Sequence, residues 1–408
     1  MNIENFIQNA HYEPNDYMAY HVARELAELH PGKTIVEGNT AYFDLESFVR
    51  AQKCAIVEQK SVFHHVRTEW VSQGRLRQHI VNSWLNVLWK GHLLDVVLIT
   101  GANGLRPRRH YWIVAEGENV AESFFNAVCE WSCEVRGEIL VYHEGYFEKD
   151  SELFNSIKTS TFDNLILHGR LKEEIQNDFR QFFNSREVYE RYRIPWKRGA
   201  IFIGPPGNGK THTLKALINK LGKPCLYVRS FKAEYGTEQE NMAEVFDRAR
   251  MSPCIIVLED LDSMIDDDNR SVFLNQHDGF QSNIGVVVLA TTNHPGKLDA
   301  SILDRPSRFD RKYHFNLPGK AERFAYINQW NGDLQADLRV SERGAIKVVG
   351  ATNGFSFAYM KELFVASMVQ WMSEGTATSM DQILLAQTNL LRKQMKDQEA
   401  QEGRVRLN

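Results

Sequence analysis

The chain has 408 residues, 43% hydrophobic and 25% charged, with a formal net charge of −4. That length exceeds a single hydrophobic core and predicts two or three domains. The slightly acidic balance excludes a broadly basic surface, so nucleic acid is not expected as the main partner, although a local basic patch stays open.

Five cysteines, odd in number and scattered from Cys54 to Cys254, argue against a disulfide framework and for a reducing compartment. Cys129 and Cys133 in CEWSC would share one helical face, but two ligands without a second pair read as packing rather than as a zinc site. The N-terminal MNIENFIQNAHYEP lacks the basic and apolar regions of a secretory signal. The apolar runs LLDVVLIT and IGVVVLA are too short to cross a bilayer. A soluble, intracellular protein without a membrane span is expected, with the cytoplasm as the first choice of compartment.

In chain order, residues 1–155 read as an α+β domain without a chemical motif. TAYFDLESFV and LLDVVLIT are expected to be strand-rich, GENVAESFFNAVCEWSCEV has helical apolar spacing, and GANGLRPRR is a turn between two elements. Trp70, Trp84, Trp89, Trp112 and Trp131 all fall here, and rings at that density predict a core. REVYERYRIPWKR is a polar, helical approach to the strand GAIFI. CLYVRS, CIIVLEDLD and GVVVLATTN read as further buried strands alternating with helices, which predicts a parallel α/β sheet over 160–317. From 318 to 390 the periodicity is helical only, and 391–408 is a charged tail expected to fray.

Gly204-Pro205-Pro206-Gly207-Asn208-Gly209-Lys210-Thr211 matches the phosphate-binding pattern G-x-x-x-x-G-K-[ST], with a strand before it and a helix, continuing through His212, after it. Glycines there let successive N–H groups converge on a phosphate, and the helix start adds its positive end. Lys210 can then reach the β- and γ-phosphates of ATP, and the Thr211 hydroxyl can ligate Mg²⁺.

Ile255–Leu258 is an apolar run ending in Glu259 and Asp260, with Asp262 beyond. After a P-loop in the same sheet, one carboxylate is expected to hold Mg²⁺ and the other to orient or deprotonate the attacking water. The following MIDDDNR reads as a solvated acidic loop. Asn293 ends another buried strand, where it could hold the lytic water or simply cap a turn. Arg305, Arg308 and Arg311 in RPSRFDRKY form either a surface charge cluster or arginines that reach a neighbour's site.

Taken together, GPPGNGKT, IIVLEDLDS, FLNQHDGF, LATTN, RPSRFDRKY and NGFSFAYMKEL resemble the AAA family of ATPases over about residues 160–375. The resemblance implies a P-loop parallel sheet with helices on both faces, followed by a small helical lid. It also implies ATP hydrolysis with Mg²⁺, a homo-oligomeric ring, usually a hexamer, and remodelling of a protein client. Gly204 to Thr211 would be Walker A, and Glu259 with Asp260 Walker B, with Thr211 and Glu259 on the metal. Asn293 would be the sensor, and Arg305 with Arg308 the fingers acting in trans.

Three features depart from the family pattern. The Walker B acids are reversed, Glu259 before Asp260, an order similar to that of the mitochondrial AAA translocase of the Rieske protein. The lid motif reads Gly354-Phe355-Ser356-Phe357-Ala358, placing a bulky ring where backbone normally approaches nucleotide. In the pore-loop region Phe231 to Gly236, Tyr235 aligns with an aromatic pore residue but Glu234 replaces a second large side chain, which leaves polypeptide threading open. Nucleotide-gated switching and nucleic-acid loading are the alternatives to remodelling.

Overall fold

A computed structural model describes residues 10 and 15–405, apart from 41, 60–63, 73–74, 104–105, 118, 134–138, 234–235, 279–282, 305–307 and 375–377. The chain divides into two compact units, Met1–Val135 and Arg136–Asn408.

The first unit is built on a six-stranded sheet. Its strands are β1 (Thr34–Gly38), β2 (Ala55–Gln59), β3 (His65–Ser72), β4 (Arg75–Trp89), β5 (His92–Asn103) and β6 (Arg106–Ala115). The order is β1-β6-β5-β4-β2, with β3 also on β4, and every pairing is antiparallel.

Helices cover both faces, which explains the unbroken apolar run LLDVVLIT in β5. Val97 and Ile99, with Trp84 and Trp112, pack against Met18, Val22 and Leu26 of helix Asn15–Leu29. Val96 and Leu98, with Trp89 and Tyr111, pack against Phe48 of helix Leu45–Arg50 and Phe124 of helix Val120–Cys133.

Two expectations change in this unit. The segment expected as strand, TAYFDLESFV, is helical from Leu45, because the Asp44 carboxylate accepts from the Ser47 N–H at 2.9 Å and caps the helix start. Trp70 is not in the core: it is 71% exposed on β3, whose pairing partner opposite is the exposed Leu76.

The second unit holds a seven-stranded sheet: β7 (Ile139–His143), β8 (Tyr146–Asp150), β9 (Arg198–Ile203), β10 (Cys225–Val228), β11 (Cys254–Leu258), β12 (Val286–Thr292) and β13 (Arg311–His314). The order is β13-β9-β12-β11-β10-β7-β8, parallel except for the β7–β8 hairpin. The boundary expected at 155 therefore lies earlier, at Val135, since β7 continues the parallel ladder beside β10.

Ile175, Phe179 and Phe182 of helix Leu171–Asn184 and Leu214 and Leu217 of helix Lys210–Leu221 pack on one face of the sheet, against Phe202, Val257 and Leu289. Helix Glu238–Arg250, opened by a Thr237/Glu240 capping box, lies against β11.

Four helices follow: Lys320–Asp333, Glu342–Ala351, Phe357–Glu374 and Met380–Val405. Their core contains Ile327, Val348, Phe355, Leu363, Phe364 and Leu384. The tail expected to fray from 391 is instead the continuation of the last helix to Val405. Leu391 is still buried in that core, and the segment is rich in helix formers with no proline.

Candidate nucleotide site

Parallel strands point their carboxyl ends to one edge, and the polar residues ending β9, β11 and β12 meet there. Gly204 to Gly209 leave β9, and the helix Lys210–Leu221 begins at Gly209, whose φ of 90° favours glycine. Gly207 (φ 76°) is fixed by space as well as by conformation. A Cβ there would stand 2.6 Å from Ala358 Cβ and 3.0 Å from Ser356 Oγ. The lid thus lies directly on the loop, and the Ala358 N–H donates to the Gly207 carbonyl at 3.0 Å.

Lys210 is buried, and its Nζ donates to the carbonyls of Gly204 (2.6 Å) and Pro205 (2.9 Å) and to Asn293 Oδ1 (2.7 Å). Burial pulls its pKa below the ordinary lysine value, opposed by the charges of Asp260, Asp262 and Glu259. Asn293 Nδ2 in turn donates to Asp260 Oδ1 at 2.8 Å. Asp260 has φ 50° and ψ 54°, a left-handed conformation that Asp tolerates better than most side chains. Its N–H donates to Thr291 Oγ1 at 2.9 Å, which fixes the turn out of β11. Burial, then Asp262 and Glu259, push the Asp260 carboxyl above its usual value. Asp262 is held separately by the Thr292 hydroxyl at 2.6 Å.

Glu259 is engaged at both oxygens. The Thr211 hydroxyl donates to Oε1, and the Tyr227 hydroxyl donates to Oε2 at 2.7 Å. The adjacent acids are therefore sorted: Glu259 faces the P-loop threonine, and Asp260 faces Asn293 and, through it, Lys210. His212 Nε2 lies 3.2 Å from the Thr161 carbonyl, so this expected nucleotide ligand contacts the chain's own backbone.

Beside the loop, a small recess is lined by Leu167, His168, Leu171, Asn208, Pro318 and Phe357, among others. Phe357 thus forms a wall rather than blocking the approach of the backbone at Ala358. Asn208 Oδ1 is buried without a hydrogen-bond partner among the described residues. The recess mixes apolar and polar side chains, with one orphaned acceptor beside the loop, and Thr211 with Glu259 supplies the oxygen donors that Mg²⁺ prefers.

Two of the three arginines of RPSRFDRKY are among the described residues. Arg308 is only 7% exposed, and its Nη1 donates to the Ser301 carbonyl of its own chain. In the single chain this side chain is therefore engaged internally. Arg311 pairs with Asp178 at 3.3 Å. Arg305, Glu234 and Tyr235 lie outside the described residues. Phe231 is buried under the Asn241 side chain, which donates to its carbonyl at 2.8 Å. Asp266, Asp267 and Asp268 are exposed, as expected of a solvated loop. The described cysteines are free thiols, and no group of three or more His, Cys, Asp or Glu side chains among the described residues is arranged to hold a metal ion.

Sequence reasoning did not single out Tyr227, because a tyrosine inside CLYV reads as an ordinary strand residue. It also missed Leu167 and His168, whose segment has no periodicity to mark it.

The profile of the ATPase family associated with various cellular activities (AAA) matches residues 200–317. The ATP-dependent zinc metalloprotease FtsH of Acidothermus cellulolyticus is 33% identical over 234 residues, 52% of this chain and 34% of that protein. FtsH of Thermobaculum terrenum is 32% identical over 223 residues, covering 50% of this chain and 33% of its own length. FtsH 1 of Salinibacter ruber is 29% identical over 215 residues, 48% and 31% respectively. The chain spans about a third of the length of these curated relatives. The match at residues 200–317 supports an AAA-type ATPase domain, and with the P-loop geometry it supports ATP and Mg²⁺ as the cofactors and ATP hydrolysis as the reaction.

Proposed function

We propose that this protein is an ATP-driven remodeller that works as a homo-oligomeric ring, a hexamer in the pattern of the family, on a protein client. The observation that carries the ATPase part is the Lys210–Asn293–Asp260 chain standing beside the Thr211–Glu259 pair. Each link is one that a bound nucleotide can replace or extend. Mg²⁺, which Thr211 and Glu259 would hold, would neutralise the charge that develops on the phosphates.

Lys210 exchanges its carbonyl and amide acceptors for the phosphates. Thr211 and Glu259 hold the metal side. Asn293 positions the attacking water, and Asp260, its carboxyl already pushed towards proton uptake, receives the proton. The shift from Asp to Glu on the metal side thus swaps the lengths of the two acids, as in the Rieske-protein translocase type, without removing either role.

Ring assembly by a heterologous contact needs two different patches on one chain. The second unit exposes Val188, Tyr192 and Ile194 near β9, and Val365, Val369 and Met372 along one lid helix. These are the candidate halves, with Arg305 and Arg308 delivered to the neighbouring site. Arg308 must leave the Ser301 carbonyl to act there, and its burial in the single chain favours a second reading, a nucleotide-gated switch with slow turnover. No described helix is long and apolar enough to cross a membrane. The free thiols support an intracellular setting.

Mixing an Arg308→Ala protein with a Lys210→Ala protein separates the two readings. Each is expected to be nearly inactive alone, and mixed rings regain turnover because an intact cradle meets an intact arginine. Full activity of Arg308→Ala alone, at any protein concentration, would establish the switch instead.

A further inference from the structure

We propose that Tyr227 is a positioning residue of the ATPase site, whose hydroxyl anchors the second oxygen of Glu259 and so keeps that longer acid on the metal side. The proposal rests on the reading of Glu259 as the metal-side carboxylate.

A glutamate has one more rotatable bond than an aspartate, so a Glu at this place needs a further restraint to hold one geometry. The structure supplies it. Tyr227 lies on β10 opposite Val257 of β11, two residues before Glu259, and its phenol reaches along the strand to Oε2 at 2.7 Å. The ring is partly buried against the core beneath the P-loop helix, which leaves the hydroxyl little freedom. Thr211 donates its single proton to Oε1, while its oxygen keeps lone pairs for a metal ion. Both anchors together leave Oε1 directed to the metal side and prevent the carboxylate from swinging towards Asp260. Partners that orient a metal ligand in this way typically contribute 10- to 100-fold in metal affinity.

The test is the Mg²⁺ dependence of binding of a fluorescent ATP analogue, which needs no turnover. Tyr227→Phe keeps the ring and removes only the hydroxyl. It is expected to fold with an unchanged melting temperature and to raise the Mg²⁺ concentration for half-maximal binding about ten-fold. Binding in EDTA should be unchanged. In a Glu259→Asp background, whose shorter carboxylate is out of the phenol's reach, the same change should shift the Mg²⁺ requirement less than about two-fold. An equal shift in both backgrounds, or none in the wild-type background, overturns the role of Tyr227. Glu259→Gln is the separate arm: if it leaves the Mg²⁺ requirement unaltered, the metal-side reading of Glu259 itself falls, and the proposal with it. If it raises the requirement while Tyr227→Phe does not, only the proposal falls.

Discussion

The two sheets of this chain use their polar side chains in opposite ways. In Met1–Val135, Asp95 accepts from Trp84 Nε1 and Asn86 Nδ2, both at 2.8 Å. Arg109 pairs with Glu46 at 3.3 Å and donates to the Ile80 carbonyl at 2.6 Å. These are structural bonds that tie the sheet together and to the helix Leu45–Arg50. In Arg136–Asn408, the polar groups at the ends of β9, β11 and β12 also bond one another, but around the glycine loop that matches the phosphate-binding pattern. Strand direction is the difference. Antiparallel strands end alternately at the two edges, whereas parallel strands deliver their ends to one edge and concentrate charge there.

The sharpest break of that comparison is Lys210→Ala. It removes the one buried cation of the cradle and is expected to lower ATP affinity by at least about 100-fold, two charge-assisted hydrogen bonds' worth of binding. Calorimetry that finds affinity within a few-fold of the parent would remove the P-loop assignment.

Gly207→Ala should come next, at about ten-fold in ATP affinity. A left-handed φ costs an L-residue roughly 1–2 kcal/mol, and the added methyl meets Ala358 and Ser356 of the lid. Nucleotide titration reads the effect, and an unchanged affinity would mean that the lid does not close on the loop in this way.

Asp95→Ala sharpens the comparison from the other side. It orphans the Trp84 and Asn86 donors and is expected to destabilise the first unit by about 1–3 kcal/mol. ATP affinity should stay the same, and denaturant unfolding monitored together with nucleotide binding separates the two effects.

The smallest effect is a pH dependence. Burial, Asp262 and Glu259 raise the Asp260 carboxyl in the folded chain. The folded state then binds more protons than the unfolded one, so the contribution of Asp260 to stability increases as pH falls through that raised value and is lost above it. Asp260→Asn should consequently melt slightly higher than the parent at neutral pH. The gain should shrink towards acid, and a gain that grew in acid would contradict the sign.

The legible parts of this chain were those set by local chemistry. GPPGNGKT announces itself because its glycines are required by backbone geometry and its lysine by charge, and the apolar runs before Glu259 and Asn293 mark buried parallel strands. What stayed hidden depends on partners far along the chain. β7 joins the second sheet only through β10, roughly eighty residues later, so the unit boundary at Val135 left no local mark. Tyr227 matters because Glu259 is 32 residues away in sequence and one strand away in space. The helix at Leu45 was missed for a nearer reason, since an aromatic, β-branched segment hid the Asp44 cap.

Asp260→Asn separates the roles of the two reversed acids. The measurement is a single-turnover assay of ATP bound and phosphate released, with Glu259→Gln run alongside. Asp260→Asn is expected to bind ATP with the parent's Mg²⁺ requirement and to hydrolyse it slower by about 10²–10⁴-fold, the usual contribution of a general base. Turnover by Asp260→Asn within a few-fold of the parent, with Glu259→Gln inactive at saturating Mg²⁺, would reverse the two roles.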